Sequence, residues 1–95
     1  MVEPVGLDDS AKPRLAPHAR LHHDSARDRW VVLLPERILV PDPVAIDILR
    51  RCDGTRMLSD VIDGLAKDYA VDRARIDTDV RALLIDLQRK GAVQA

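Results

Sequence analysis

Trp30-Val31-Val32-Leu33-Leu34-Pro35-Glu36-Arg37-Ile38-Leu39-Val40 is the stretch on which the fold turns. It is a β-branched and aliphatic run interrupted once, at Pro35-Glu36, and it reads as two antiparallel strands joined by a tight turn. A strand with one buried face alternates apolar with polar residues. Here Trp30, Val32 and Leu34 on one parity and Val31 and Leu33 on the other are all apolar, so both faces of the ribbon need cover. A chain of 95 residues can supply helices for one face, which directs attention to the second face and to the open edge.

On the amino-terminal side, Arg20-Leu21-His22-His23-Asp24 supplies a first strand, and Ser25-Ala26-Arg27-Asp28 a polar turn into the second, Arg29 to Leu34. The third strand runs Arg37 to Val40 and stops at Pro41, which has no amide to give a ladder. In a simple meander the second strand is central and the third is an edge. Residues 1–17 carry Pro4, Pro13 and Pro17 with no apolar periodicity, and are expected to be a flexible arm, with Arg14-Leu15 the one place where it would dock. The domain proper is then expected to span residues 18–95.

On the carboxyl-terminal side, Asp42 offers a side-chain acceptor at an N-cap and Pro43 fits the first helical position, where a missing amide costs nothing. The spacing predicts a helix over Val44 to Cys52, with Ala45, Ile48, Leu49 and Cys52 on one stripe, ended by Asp53-Gly54. A second helix starts near Ser59-Asp60 and carries Ile62, Leu65, Ala66 and Tyr69; Gly64 weakens it, so packing must hold it. Asp72 caps a third, longest helix with the stripe Ile76, Val80, Leu83, Leu84 and Leu87, and Gly91 ends it before a stub of strand at Ala92-Val93. Three strands followed by a three-helix bundle describe an α+β, winged-helix-like domain.

Composition narrows the function. Fifteen Lys and Arg against sixteen Asp and Glu leave a net charge of -1, which disfavours a surface built to displace counterions from nucleic acid. The winged-helix alternative is weak for the same reason. Asp72 to Lys90 holds five basic and four acidic residues, no Asn and one Gln, a poor set for reading bases. One cysteine suits a reducing, cytoplasmic setting, and neither a membrane-length apolar run nor a signal-like start is present.

No residues assemble into a catalytic or cofactor site. His22 and His23 are neighbours on a strand and point to opposite faces, so they do not converge on a metal. Cys52 sits on an apolar helical stripe as a small buried hydrophobe without a partner base. Asp77, Asp79 and Asp86 alternate with arginines as a solvated helix face does, and Ile85 is expected on that outer face. What remains is the Arg37 to Val40 edge beside a helix, a slot for an extended peptide that adds main-chain hydrogen bonds. The arm or a second copy of the chain would be the alternative cover.

The succession Pro13-Arg14-Leu15, Arg20-Leu21, Asp24, Arg27, Trp30 through Arg37, Ile48-Leu49-Arg50-Arg51-Cys52-Asp53-Gly54-Thr55, Asp79-Val80 and Lys90-Gly91-Ala92-Val93 resembles the PqqD family of pyrroloquinoline quinone biosynthesis. That resemblance implies a non-catalytic peptide chaperone. It would bind the precursor peptide PqqA and present it to the radical SAM enzyme PqqE, in the manner of the recognition elements of ribosomally made, modified peptides. By position, the bound peptide would lie along Arg37, Ile38, Leu39 and Val40, faced by Asp79, Leu83 and Asp86 of the third helix. Pro41 departs from the apolar residue common in the family and is expected to withhold a donor from the peptide ladder, and a proline at Leu39 is the expected way to abolish binding.

Overall fold

The Pro35-Glu36 turn closes as expected, with the Leu34 amide donating to the Arg37 carbonyl at 2.9 Å. Around it the computed structural model, which describes residues 7–95, orders the chain as β1 (Arg14–Leu15), β2 (Arg20–Asp24), β3 (Arg29–Leu33), β4 (Ile38–Leu39), α1 (Pro43–Arg51), α2 (Leu58–Tyr69), α3 (Arg73–Arg89) and β5 (Val93–Gln94). β2, β3 and β4 form an antiparallel sheet with β3 central, and β1 pairs with β5 in a separate two-stranded ribbon. The architecture is α+β, a three-stranded antiparallel sheet followed by three helices, and β4 is shorter than the Arg37 to Val40 strand expected.

The inner parity of β3 enters the core: Val32 is fully buried and Leu34 nearly so. Helices supply the rest through the anticipated stripes, Ala45, Ile48, Leu49 and Cys52 from α1, Ile62 and Leu65 from α2, and Val80, Leu84 and Leu87 from α3. Asp42 caps α1, accepting the Ala45 amide at 2.8 Å, and Pro43 stands in its first turn. Gly91 takes a φ of 80° directly after the Lys90 cap of α3, as a left-handed helix stop requires, whereas Gly54, with a φ of 84°, lies two residues beyond the Cys52 cap of α1 and not at the stop itself. A Cβ at Gly54 would also stand 3.2 Å from Cδ of Arg14.

The largest departure concerns the expected arm. Residues 1–6 lie outside the described residues, but from Leu7 onward the segment is a packed strap, with Leu7, Pro13 and Ala16 buried. Its carbonyls do the work of a helix cap. α2 begins at Leu58 behind Met57, which offers no side-chain acceptor, and its leading amides are taken by Ala11 (Leu58 N to O, 2.7 Å) and Asp9 (Ser59 N to O, 3.1 Å). Gly54 donates to Pro13 at 3.0 Å and Ala16 to Ala92 at 2.8 Å. Arg81 of α3 binds Asp77 on its own helix and both the Leu7 carbonyl and Asp9 of the strap. Backbone groups of this kind leave no periodic trace in sequence, which is why the segment reads as an arm. Ile85 is corrected with it: the isoleucine is half-buried against the core that Leu7 joins, not on an open outer face. Asp72 likewise precedes α3 without making a side-chain cap bond.

Gly64 finds its reason between α1 and α2. A Cβ there would come within 3.2 Å of an Arg51 guanidinium nitrogen. That guanidinium bridges Asp47 at 3.1 Å and Asp68 at 2.9 Å, stapling the two helices.

Candidate functional site

The outer edge of β4 is built by register. Leu34 and Arg37 face each other across the turn, Leu33 pairs with Ile38 and Val32 with Leu39. Antiparallel ladders alternate, so Arg37 gives its carbonyl to Leu34 and Leu39 turns its amide and carbonyl to β3, while Ile38 and Val40 turn theirs to the open edge. Side chains follow the same alternation. Leu39 packs on the core, whereas Ile38 and Val40 stand 61% and 53% exposed on the outer face.

Two sequence expectations change under this register. Pro41 continues the parity of Leu39, so the amide it lacks would have faced β3, and the open edge loses no donor. A proline at Leu39 would break the internal ladder instead of the edge. The residue whose amide can be removed without touching β3 is Ile38.

Arg37 anchors the turn to α3. Its guanidinium donates to the Lys90 carbonyl at 3.1 Å, a cation on the electronegative helix C-terminus, and lies 3.5 Å from Glu36. Arg37 is therefore a strut with a side chain committed to the fold. On α3, Asp77 and Arg81 share the flank held by the strap. Asp79, Leu83 and Asp86 lie on the order of half a turn round the helix from Arg81. Leu83 is half-buried, while Asp79 and Asp86 are exposed and paired along the helix with Arg75 (3.9 Å) and Lys90 (2.8 Å). The structure thus separates the seven expected site residues into an open edge (Ile38, Val40), two residues bonded to β3 and its turn (Arg37, Leu39) and a flank of α3 on which Asp79 and Asp86 face solvent and Leu83 is half-buried.

The outer sheet face continues the edge. Val31, on the parity opposite the core, is nonetheless buried, and with Leu33, Ile38 and Val40 it floors a hollow of about 490 Å³ rimmed by His22, Asp24, Arg27 and Arg29. Asp24 feels burial that would raise its pKa, yet Arg27 and Arg29 beside it hold it below the usual carboxylate range. A second hollow, about 620 Å³, opens between the start of β3 and α1. Neither is lined by α3. His22 faces the outer hollow and His23 lies against Trp30 with ring centroids 5.1 Å apart, so the pair diverges as strand geometry requires.

α3 also bears on the nucleic-acid alternative. Arg73, Arg75, Arg81 and Lys90 each lie within 4 Å of a carboxylate, Asp63, Asp79, Asp77 and Asp86 among them, which leaves few cations for phosphates. Among the described residues no helix is long and apolar enough to cross a membrane. Cys52 is buried in the core, and burial pushes its thiol up to about 11, away from nucleophilic use near neutral pH.

Residues 29–93 match the family model described as coenzyme PQQ synthesis protein D (PqqD). A relative from Rhodopseudomonas palustris (strain BisB5), named PqqA binding protein, is 49% identical over 87 residues, 92% of this chain and 85% of the relative. Among solved structures, the PqqD truncation of Methylobacterium extorquens PqqCD matches with a TM-score of 0.82 and 32% identity over 99% of this chain and 100% of that one. That protein is described as a functional, stand-alone recognition element for ribosomally synthesized and post-translationally modified peptides. A lasso peptide synthetase B1 complexed with a leader peptide shares the fold, with a TM-score of 0.76 and 23% identity over 90% of this chain and 100% of that one.

Proposed function

The chain belongs to the PqqD family, and on that premise we propose that it is a non-catalytic peptide chaperone that takes the precursor peptide PqqA as an added strand on β4 and delivers it to the radical SAM enzyme PqqE. The setting we propose is the cytoplasm, in keeping with a single cysteine held as a buried thiol.

The observation that carries the strand reading is the register of β4: Ile38 and Val40 offer the open edge both main-chain groups and exposed apolar side chains. The strap occupies the Asp77–Arg81 flank of α3, which leaves Asp79, Leu83 and Asp86 to face a peptide. Energetics favour a reversible clasp. Four main-chain hydrogen bonds, the most that Ile38 and Val40 offer, contribute about 0.5 to 1.5 kcal/mol each, against about 2 to 5 kcal/mol for ordering the peptide. Buried side chains supply the difference, and affinity in the micromolar to sub-micromolar range suits a ligand that must be passed on.

The test is calorimetric titration with the PqqA precursor peptide at two salt concentrations, repeated with Ile38→Pro. Saturable one-to-one binding that changes little with salt is expected, with loss of at least about ten-fold in affinity for Ile38→Pro at unchanged helix content. Wild-type affinity in a folded Ile38→Pro protein would overturn strand addition. A steep fall with salt would point to backbone phosphate chemistry instead.

A further inference from the structure

Pro41 does more than end β4. The β3–β4 ladder stops at the Val32–Leu39 pair, two residues short of Trp30, because Pro41 has no amide with which to continue it. The chain turns away into α1 and leaves the second hollow in the gap. Its apolar wall is Trp30, Val40, Pro41, Pro43 and Ile46. Val40 also carries the open edge, so a strand lying along β4 runs directly into this space.

The charges at its rim are unevenly committed. Asp47 already accepts from Arg51 at 3.1 Å and from the Tyr69 hydroxyl at 2.8 Å, and hydrogen bonding to Arg51 holds its pKa below the usual carboxylate range. Asp28 lies 3.2 Å from His23, and Arg29 sits 3.7 Å from Asp24. Arg50 differs. Its guanidinium carbon is 4.3 Å from the centroid of the Trp30 ring, and it forms no ion pair among the described residues. Stacking on the indole pre-orders a planar cation whose donor edge can still take a carboxylate in bidentate fashion.

We propose that this hollow is a side-chain subsite for the same peptide, taking an acidic residue on Arg50 and a neighbouring apolar residue against Trp30, Pro43 and Ile46. The inference rests on the strand-addition reading above, since Val40 is what joins the hollow to the edge. It makes Arg50 and Trp30 determinants of which segment of the precursor is held, and so of register along β4.

The experiment uses the full chain, whose single tryptophan reports on the hollow itself. Titration with synthetic PqqA precursor peptide is expected to shift Trp30 emission at the same stoichiometry as the heat of binding. Arg50→Gln should weaken binding about five- to ten-fold without lowering the melting temperature. Replacing each acidic residue of the peptide by its amide should identify one whose loss costs the same factor against the wild type and nothing against Arg50→Gln. Wild-type affinity for Arg50→Gln, or no peptide residue coupled to it, overturns the subsite while Ile38→Pro still reports on strand addition. Retained binding in Ile38→Pro overturns the strand reading, and no binding by the wild type overturns both.

Discussion

The two flanks of α3 treat the rest of the chain in opposite ways. Along Asp77 and Arg81 the strap lies down completely: Leu7 is buried, Arg81 takes a carbonyl and a carboxylate, and two strap carbonyls cap α2. Toward Asp79 and Asp86 carboxylates face solvent, and the nearby β4 strand leaves two residues' main-chain groups unspent. The strap could have covered a sheet edge, but it is used on α2, α3 and β5. On the proposed reading, stability and binding fall to separate sides of one helix, so that the side offered to the peptide can stay unsatisfied without unfolding the domain.

The sharpest way to break that division is through Cys52, which belongs to the closed side. With its pKa raised to about 11 from an ordinary 9.0, the folded protein holds about a hundred-fold less thiolate than an unfolded chain at pH 8. Ellman's reagent should therefore react about a hundred-fold more slowly with the native protein than with the urea-unfolded one. The raised pKa favours the protonated folded state. Its contribution is whole below pH 9 and is lost as pH rises through 11, a loss on the order of 3 kcal/mol. Rapid modification at pH 8 would mean that the strap side opens readily and is not the rigid half.

Next in size is Leu7→Ala, which removes a buried side chain from the strap and should cost about 2 kcal/mol of unfolding free energy in a urea titration. Affinity for the precursor peptide should be unchanged. A Leu7→Ala protein with normal stability and weakened binding would place the strap on the functional side and erase the contrast.

What the sequence made legible follows the same line. Short-range signals were readable: the Asp42-Pro43 helix start, the glycine that ends α3, the helical stripes, and the turn that sets β3 against β4. The Arg37 to Val40 edge was readable from the residues themselves, and the resemblance added the α3 residues expected to face it. Contacts distant in sequence were not readable. Asp9 and Ala11 cap a helix some fifty positions on, Arg81 reaches back to Leu7, and Arg50 settles on Trp30 with a strand, a turn and a helix between them. Register was the other hidden quantity, since which of Ile38 and Leu39 faces outward depends on where Leu34 and Arg37 pair.

A smaller effect tests the frame of the open side. Asp42→Ala removes the acceptor for the Ala45 amide and should cost about 1 kcal/mol by thermal unfolding. Because α1 presents Arg50 and Ile46, the same variant should weaken the peptide-induced change in Trp30 emission more than it weakens affinity. Equal effects on both would mean that the hollow and the edge are one binding unit with no distinct subsite.

The smallest expected change in stability belongs to Ile38→Ala. The side chain is 61% exposed and makes no core contact, so its truncation should move unfolding free energy by less than about 0.5 kcal/mol. Its amide and carbonyl are intact in the variant, and strand addition predicts that the peptide still binds, more weakly by the apolar area it no longer covers, about three- to ten-fold. Ile38→Pro, by contrast, removes the amide as well and should lose more. The ordering wild type, Ile38→Ala, Ile38→Pro in affinity, at nearly constant stability for the alanine variant, separates the side-chain share of the edge from its main-chain share. Equal affinity for Ile38→Ala and Ile38→Pro would mean that the peptide reads only the apolar outer face and forms no ladder with β4.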